Sequence, residues 1–269
     1  MNRARSILYV GVTTRSASIV TGPGRAPAAR ASVALALLIM GLVVAGCAPR
    51  PLLERAARAR GGALWSFVRA SDVDVQEGFP GAWQWRTAFL APDRYAWSIV
   101  TTTGVDHYLF DGHVVRGFVS GREVAADAAQ AAPLRIQARF IAVTSLVPLD
   151  ARATATPLPT SELPPGVATG VSVVLNDDGS RYRLGFDDRD LLVWATGPFD
   201  VPQIGVGELT ARYDDYRRVG GMLLPFRIRY ELGERPLAVE HVTRACPNDP
   251  ALTPASFEGP ERLPACNAP

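Results

Sequence analysis

Three cysteines, three histidines and a few acidic turns are the residues of this chain best able to do covalent or metal chemistry. His107 and His113 flank Asp111-Gly112, with Asp106 nearby. That is a sketch of a metal site, but polar residues on the wet face of a hairpin give the same spacing. Asp187, Asp188, Arg189 and Asp190 crowd acids together without the Glu and Gly of a calcium loop. Ser66, Ser98, Ser120 and Ser145 lie in no Gly-x-Ser-x-Gly elbow. Gly205-Val206-Gly207 is not followed by a helical pattern, so it is no phosphate cradle. No enzyme, metal site or cofactor is therefore expected.

The cysteines say more. Cys47 follows Val44-Ala45-Gly46, at the end of the uncharged run 31–46, behind Arg25 and Arg30. Basic residues, an apolar core and a small-residue end are the layout of an export signal. The run is short for a bilayer span, which needs about 20 apolar residues. Val44-Ala45-Gly46-Cys47 resembles the lipobox of bacterial lipoproteins. The resemblance implies that the Cys47 thiol carries a diacylglyceryl group, and that cleavage leaves Cys47 as the first residue of a membrane-anchored chain. Ala48, rather than Asp, follows it; in a diderm bacterium the sorting rule of that class implies the outer membrane, facing the periplasm. Cys246 and Cys266, with 19 residues between them, are expected to form a disulfide in such an oxidising compartment. Pro247, Pro250, Pro254, Pro260 and Pro264 argue against regular structure in the segment they would close, so the bond is expected to pin a loose tail.

Charge changes meaning at Cys47. The whole chain carries 28 arginines against 26 acids, a formal +2. Five of those arginines precede Cys47, leaving 23 against 26 beyond it, a formal −3. A mildly acidic body lacks the basic footprint of a nucleic-acid binder.

Residues 47–62 read as a lipidated cysteine, a Pro-containing tether and a short helix that Gly61-Gly62 ends. From Ala63 the pattern is mostly strand. Leu224, Phe226, Ile228, Tyr230 and Leu232 alternate with Arg227, Arg229 and Glu231; before them Leu209, Ala211 and Tyr213 alternate with Glu208, Thr210 and Arg212. Period two marks strands with one wet and one buried face. Gly220-Gly221 joins this pair, Gly233-Glu234 leads to Leu237, Val239 and His241, and Asp111-Gly112 and Asp178-Gly179 close further hairpins. Trp83, Trp85 and Phe89 share one parity, Tyr95, Trp97 and Ile99 repeat it, and Phe110 and Phe118 follow. Ala125 to Leu146 breaks the alternation; Ala128–Ala132 and Leu134–Val147 are helix-competent, with a break or kink expected at Pro133. Ala151 to Gly166 is expected to be loop or irregular edge. The fold expected is mainly β: a curved antiparallel incomplete barrel of about ten strands with helices over its open side, with a β-sandwich as the competing architecture.

This order of elements resembles the outer-membrane lipoprotein carrier and receptor family, LolA/LolB-like proteins. The residues that carry the likeness are Leu90-Ala91-Pro92-Asp93-Arg94-Tyr95, Phe110-Asp111-Gly112-His113-Val114-Val115, Tyr213-Asp214-Asp215-Tyr216 and Leu223-Leu224-Pro225-Phe226-Arg227-Ile228. The resemblance implies a half-open barrel over residues 63–245; the signal peptide at 1–46 and the tail at 246–269, expected to be closed by a disulfide, lie outside it, and the tail departs from the receptor branch of that family. It further implies an apolar cavity for an acyl chain, lipid or lipoprotein. Trp83, Trp85, Phe89, Tyr95, Trp97, Phe110, Phe118, Phe226, Ile228 and Tyr230 are the candidate lining. The expected partners are the membrane, through the anchor, and a lipid, acyl chain or lipoprotein cargo; no nucleic acid is expected. The competing function is a structural or envelope-sensing lipoprotein whose filled barrel docks a protein.

Overall fold

The computed structural model describes residues 49–78, 80–101, 104–124, 128–148, 152–201 and 204–266. The signal and lipobox reading of Val44–Cys47 therefore lies outside the described residues. All elements belong to one compact unit, Cys47–Pro269, which holds every core cluster described below.

Helix α1 (Pro49–Arg60) precedes six strands: β1 (Ser66–Val75), β2 (Gly81–Leu90), β3 (Arg94–Thr101), β4 (Gly104–Phe110), β5 (Val115–Val119) and β6 (Arg122–Val124). Helix α2 (Ala128–Thr144) follows, then β7 (Ala153–Pro157), β8 (Thr169–Leu175), β9 (Arg181–Phe186), β10 (Leu192–Val201), β11 (Gly205–Val219), β12 (Met222–Leu232) and β13 (Arg235–Pro247). All thirteen strands form one sheet in the order β6-β5-β4-β3-β2-β1-β13-β12-β11-β10-β9-β8-β7. The chain meanders outward from β1 to one edge, crosses to the other edge through α2, and meanders back until β13 pairs with β1. Curved and unclosed, the sheet is the incomplete barrel expected, with more strands than ten because Ala153–Pro157 adds an edge strand and the meander around β5 and β6 is finely divided.

Both helices lie on the inner face. Leu52 and Ala56, one turn apart on α1, pack with Phe140 and Val143 of α2 against Val171, Tyr182, Leu184, Ala195, Leu209 and Ile228. Gly61 ends α1 at φ +105°, and a Cβ there would stand 2.6 Å from the Gly221 carbonyl of the β11–β12 turn, so only glycine fits. Helix α2 continues through Pro133 rather than breaking there. Leu134 and Ala138, just beyond the proline, are buried against Tyr95, Phe110 and Val115, and that burial outweighs the lost backbone bond. The Asp187–Asp190 turn is likewise structural: Asp187 accepts the backbone N–H groups of Arg189 and Leu191, and Asp190 pairs with Arg55 of α1 at 3.0 Å.

The outer face carries a third layer. Leu252, Phe257 and Cys266 pack on Val68, Ala88, Ala96 and Leu109, with Leu263 and Phe118 at the margin. The tail expected to be loose is a packed cover made of two 3-10 turns, Pro254–Phe257 and Pro260–Arg262, closed by the Cys246–Cys266 disulfide. It explains why Phe67-Val68, Ala88-Phe89, Tyr95-Ala96 and Leu109-Phe110 each bury both neighbours: the sheet there is covered on both sides. A disulfide across a separation of 20 residues restricts the unfolded chain by about 3 kcal/mol in the chain-entropy model. Cys246→Ser/Cys266→Ser is expected to lose about that much, read as a lower guanidinium midpoint; an unchanged midpoint would show the cover holds without its staple.

Candidate functional site

The inner face between α2 and the first strands holds three adjoining features. The first is a buried polar group on the sheet floor. In the last strand, marked in the sequence by Leu237, Val239 and His241, the side facing the core carries Ala238, Glu240 and Val242. Glu240 is 1% exposed. Its Oε1 accepts a hydrogen bond from Ser71 Oγ at 2.6 Å, and its Oε2 accepts one from Tyr230 OH at 2.7 Å. Arg69 Nε stands 3.0 Å from Oε1, but its N–H is not aimed along that contact, so the pair is held by charge rather than by an aligned hydrogen bond. Burial works against the Arg69 charge; the Glu240 carboxylate and the nearby tyrosines more than offset it and hold the guanidinium above its ordinary value. Burial likewise pushes the phenols of Tyr95, Tyr213 and Tyr230 up, so all three stay neutral donors. A void of about 90 Å³ borders Arg69, Tyr230, Tyr213 and Phe140. It is smaller than a ligand site.

The second feature is an aromatic ladder. Cross-strand register sets Ser71 opposite Trp85, Val73 opposite Trp83, and Trp97 opposite Tyr108, all on the inner face. Trp85 meets Trp97 edge-on at 5.5 Å, and Trp97 stacks on Tyr108 at 5.9 Å. These rings are half-buried, and Trp97 and Tyr108 abut the Tyr95–Phe110–Leu134 cluster under α2.

The third is a pocket of about 670 Å³ along α2, between the β2–β3 and β4–β5 turns on one side and the β8–β9 turn on the other. Phe110, Ala138, Ala142, Val143 and Leu175 give it an apolar floor, because the alanines one turn apart leave room beside the helix. Its rim is polar. Arg139 is matched by Asp177 at 2.8 Å and by Asp178. Arg135 donates to the His113 carbonyl at 3.2 Å and lies over the Phe110 ring.

The ten candidate lining residues thus divide. Trp83, Trp85, Tyr95, Trp97 and Phe110 share the inner face with Phe89, Phe226, Ile228 and Tyr230. Of these, Phe89, Phe226 and Ile228 are packed core, and only Phe110 borders the large pocket. Phe118 is a correction: it pairs with His107 on the outer face, beneath the tail, because Phe110 and Phe118 are separated by a turn that changes their parity. His107 also faces outward, 2.7 Å from Ser98 Oγ, with its pKa lowered by burial and by Arg86; His113 sits exposed in the turn. The two histidines do not converge, and among the described residues no cluster could hold a metal ion. Sequence reasoning missed Arg69, Glu240 and the arginine rim. A buried glutamate in a strand could have been found only from register.

No family model matches the chain, and no curated protein matches it. Among solved structures it is similar to a LolA superfamily protein from Nitrosomonas europaea, at 14% identity and TM-score 0.52, over 77% of this chain and 96% of that one. A DUF1329 family protein from Desulfovibrio piger aligns at 13% identity and TM-score 0.45, over 80% of this chain and 98% of that one. At this identity the first likeness is one of fold. No described helix is long and apolar enough to cross a membrane.

Proposed function

We propose that this chain is a lipid-anchored envelope protein, tethered through Cys47 at the periplasmic face of the outer membrane, that binds the acyl chain of a lipid or lipoprotein on the inner face of its half-barrel. One observation carries the reading: a pocket of about 670 Å³ with an apolar floor runs along α2, where Ala138 and Ala142 leave room beside the helix. That volume suits a lipid tail, and each methylene buried contributes about 0.8 kcal/mol. The LolA superfamily name of the similar structure supports the same class of cargo. The ladder of Trp85, Trp97 and Tyr108 beside the pocket offers further apolar area where a chain emerges.

The test is lipid extraction and mass spectrometry of the purified 48–269 unit, with titration of a fluorescent fatty acid. Copurified lipid and saturable uptake are expected. Trp97→Ala is expected to weaken uptake roughly tenfold, as loss of a large ring contact does. Absence of both lipid and uptake would sink the reading. The competing reading, a filled barrel that docks a protein, is favoured by one feature: Phe140 packs its ring against Tyr182 and Phe199 in the interior of the second half. A crosslinked protein partner with no bound lipid would select it.

A further inference from the structure

The rim of the pocket along α2 has a charge pattern that the acyl-binding reading does not require. Arg135 and Arg139 stand one turn apart on α2, and Arg152 stands across the mouth at the start of β7. Arg139 is spoken for by Asp177 and Asp178. Asp93, the other acid on the rim, lies against Gly112 and has Arg94 at 4.0 Å. Arg135 has only a carbonyl and an aromatic ring as partners, and Arg152 has no side-chain partner among the described residues. Among the described residues, two cations thus border one pocket with no carboxylate paired to either, beside a floor of Phe110, Ala138, Ala142, Val143 and Leu175.

Arg135 ties α2 to the β4–β5 turn through the His113 carbonyl, yet no carboxylate among the described residues neutralises it or Arg152. Both side chains are exposed, on a body of formal charge −3, whereas Arg139, the third arginine of the rim, is paired with the β8–β9 turn. An apolar floor with two guanidiniums on its rim is complementary to an amphiphile with an acidic head. We propose that the pocket selects an acidic amphiphile, its carboxylate or phosphate held by Arg135 and Arg152 and its tail along α2. This rests on the acyl-binding reading and goes beyond it by naming the head group. Arg135 is already oriented: its stacking on Phe110 and its bond to the His113 carbonyl hold the guanidinium at the rim and leave other N–H groups to donate.

The experiment compares oleate, oleyl alcohol and inorganic phosphate on the 48–269 unit, with Arg135→Gln and Arg152→Gln. Oleate is expected to bind at least tenfold more tightly than oleyl alcohol, and added salt is expected to narrow the gap. Each substitution is expected to bring the oleate-to-alcohol ratio toward one; Arg152 is exposed, so its variant keeps the fold if Arg135→Gln does not. Equal binding of oleate and oleyl alcohol would overturn the head-group proposal while leaving lipid binding intact. Phosphate binding as tightly as oleate would overturn it in favour of a free-anion site. Failure of both oleate and the alcohol to bind would remove the acyl-binding reading as well.

Discussion

Replacing Glu240 with alanine is expected to lower the unfolding free energy by about 3–5 kcal/mol, among the largest single losses in this chain. The carboxylate is 1% exposed and holds three groups at once: Arg69, Ser71 and Tyr230. Removing it leaves a guanidinium whose side chain is 15% exposed without its counter-charge, and the hydroxyls of buried Ser71 and half-buried Tyr230 without this acceptor. Glu240→Gln keeps an acceptor for Tyr230 and is expected to lose less. The double variant Arg69→Met/Glu240→Leu is expected to recover most of the loss, since a buried pair replaced by apolar groups of similar size is often neutral. Urea unfolding of the four proteins reads this directly. A loss below about 1 kcal/mol in Glu240→Ala would mean that water reaches the pair.

Phe140→Ala is expected to cost about 3–5 kcal/mol and, on the acyl-binding reading, to raise fatty-acid uptake. Phe140 is 2% exposed and joins α2 to the second half of the sheet, with its ring 6.3 Å from Tyr182 and 5.9 Å from Phe199. It also borders the void of about 90 Å³. Truncation therefore merges a vacated ring with existing space whose lining is largely apolar, and such an enlarged cavity accepts apolar ligands. The stability change and the uptake change are separate readouts. Lower uptake together with lower stability would place the acyl chain away from the interior of the second half.

Much of the architecture was legible in the residues. Strict alternation in Met222–Leu232 and in Leu209–Tyr213 gave the faces of β12 and β11, because a half-buried strand must repeat every two residues. The Asp-Gly and Gly-Gly turns gave the hairpins, since positive φ restricts which residues can stand there. Alternation failed where burial was two-sided. Ala88-Phe89 and Leu109-Phe110 bury both neighbours because the tail forms a layer that proline content had made look irregular. The β13 strand misled for a related reason. A register shift lies in its pairing with β1, and its apolar residues fall on both parities, so the buried glutamate looked like a surface residue.

By itself the amino-acid sequence determined an antiparallel meander, a helical interruption, a paired cysteine tail and an aromatic set on one parity, because these depend on local periodicity and turn chemistry. It also carried the resemblance to an export signal and lipobox ending at Cys47, which stands on the sequence alone. Only the tertiary structure decided that Arg69 meets Glu240 across a separation of 171 residues, that Phe118 faces away from the other aromatics, and that Arg135 and Arg152 share one mouth. Each of these depends on which distant strands pair and on how α2 crosses between the sheet edges. No local pattern encodes such long-range register, and the site lies where those long-range contacts meet.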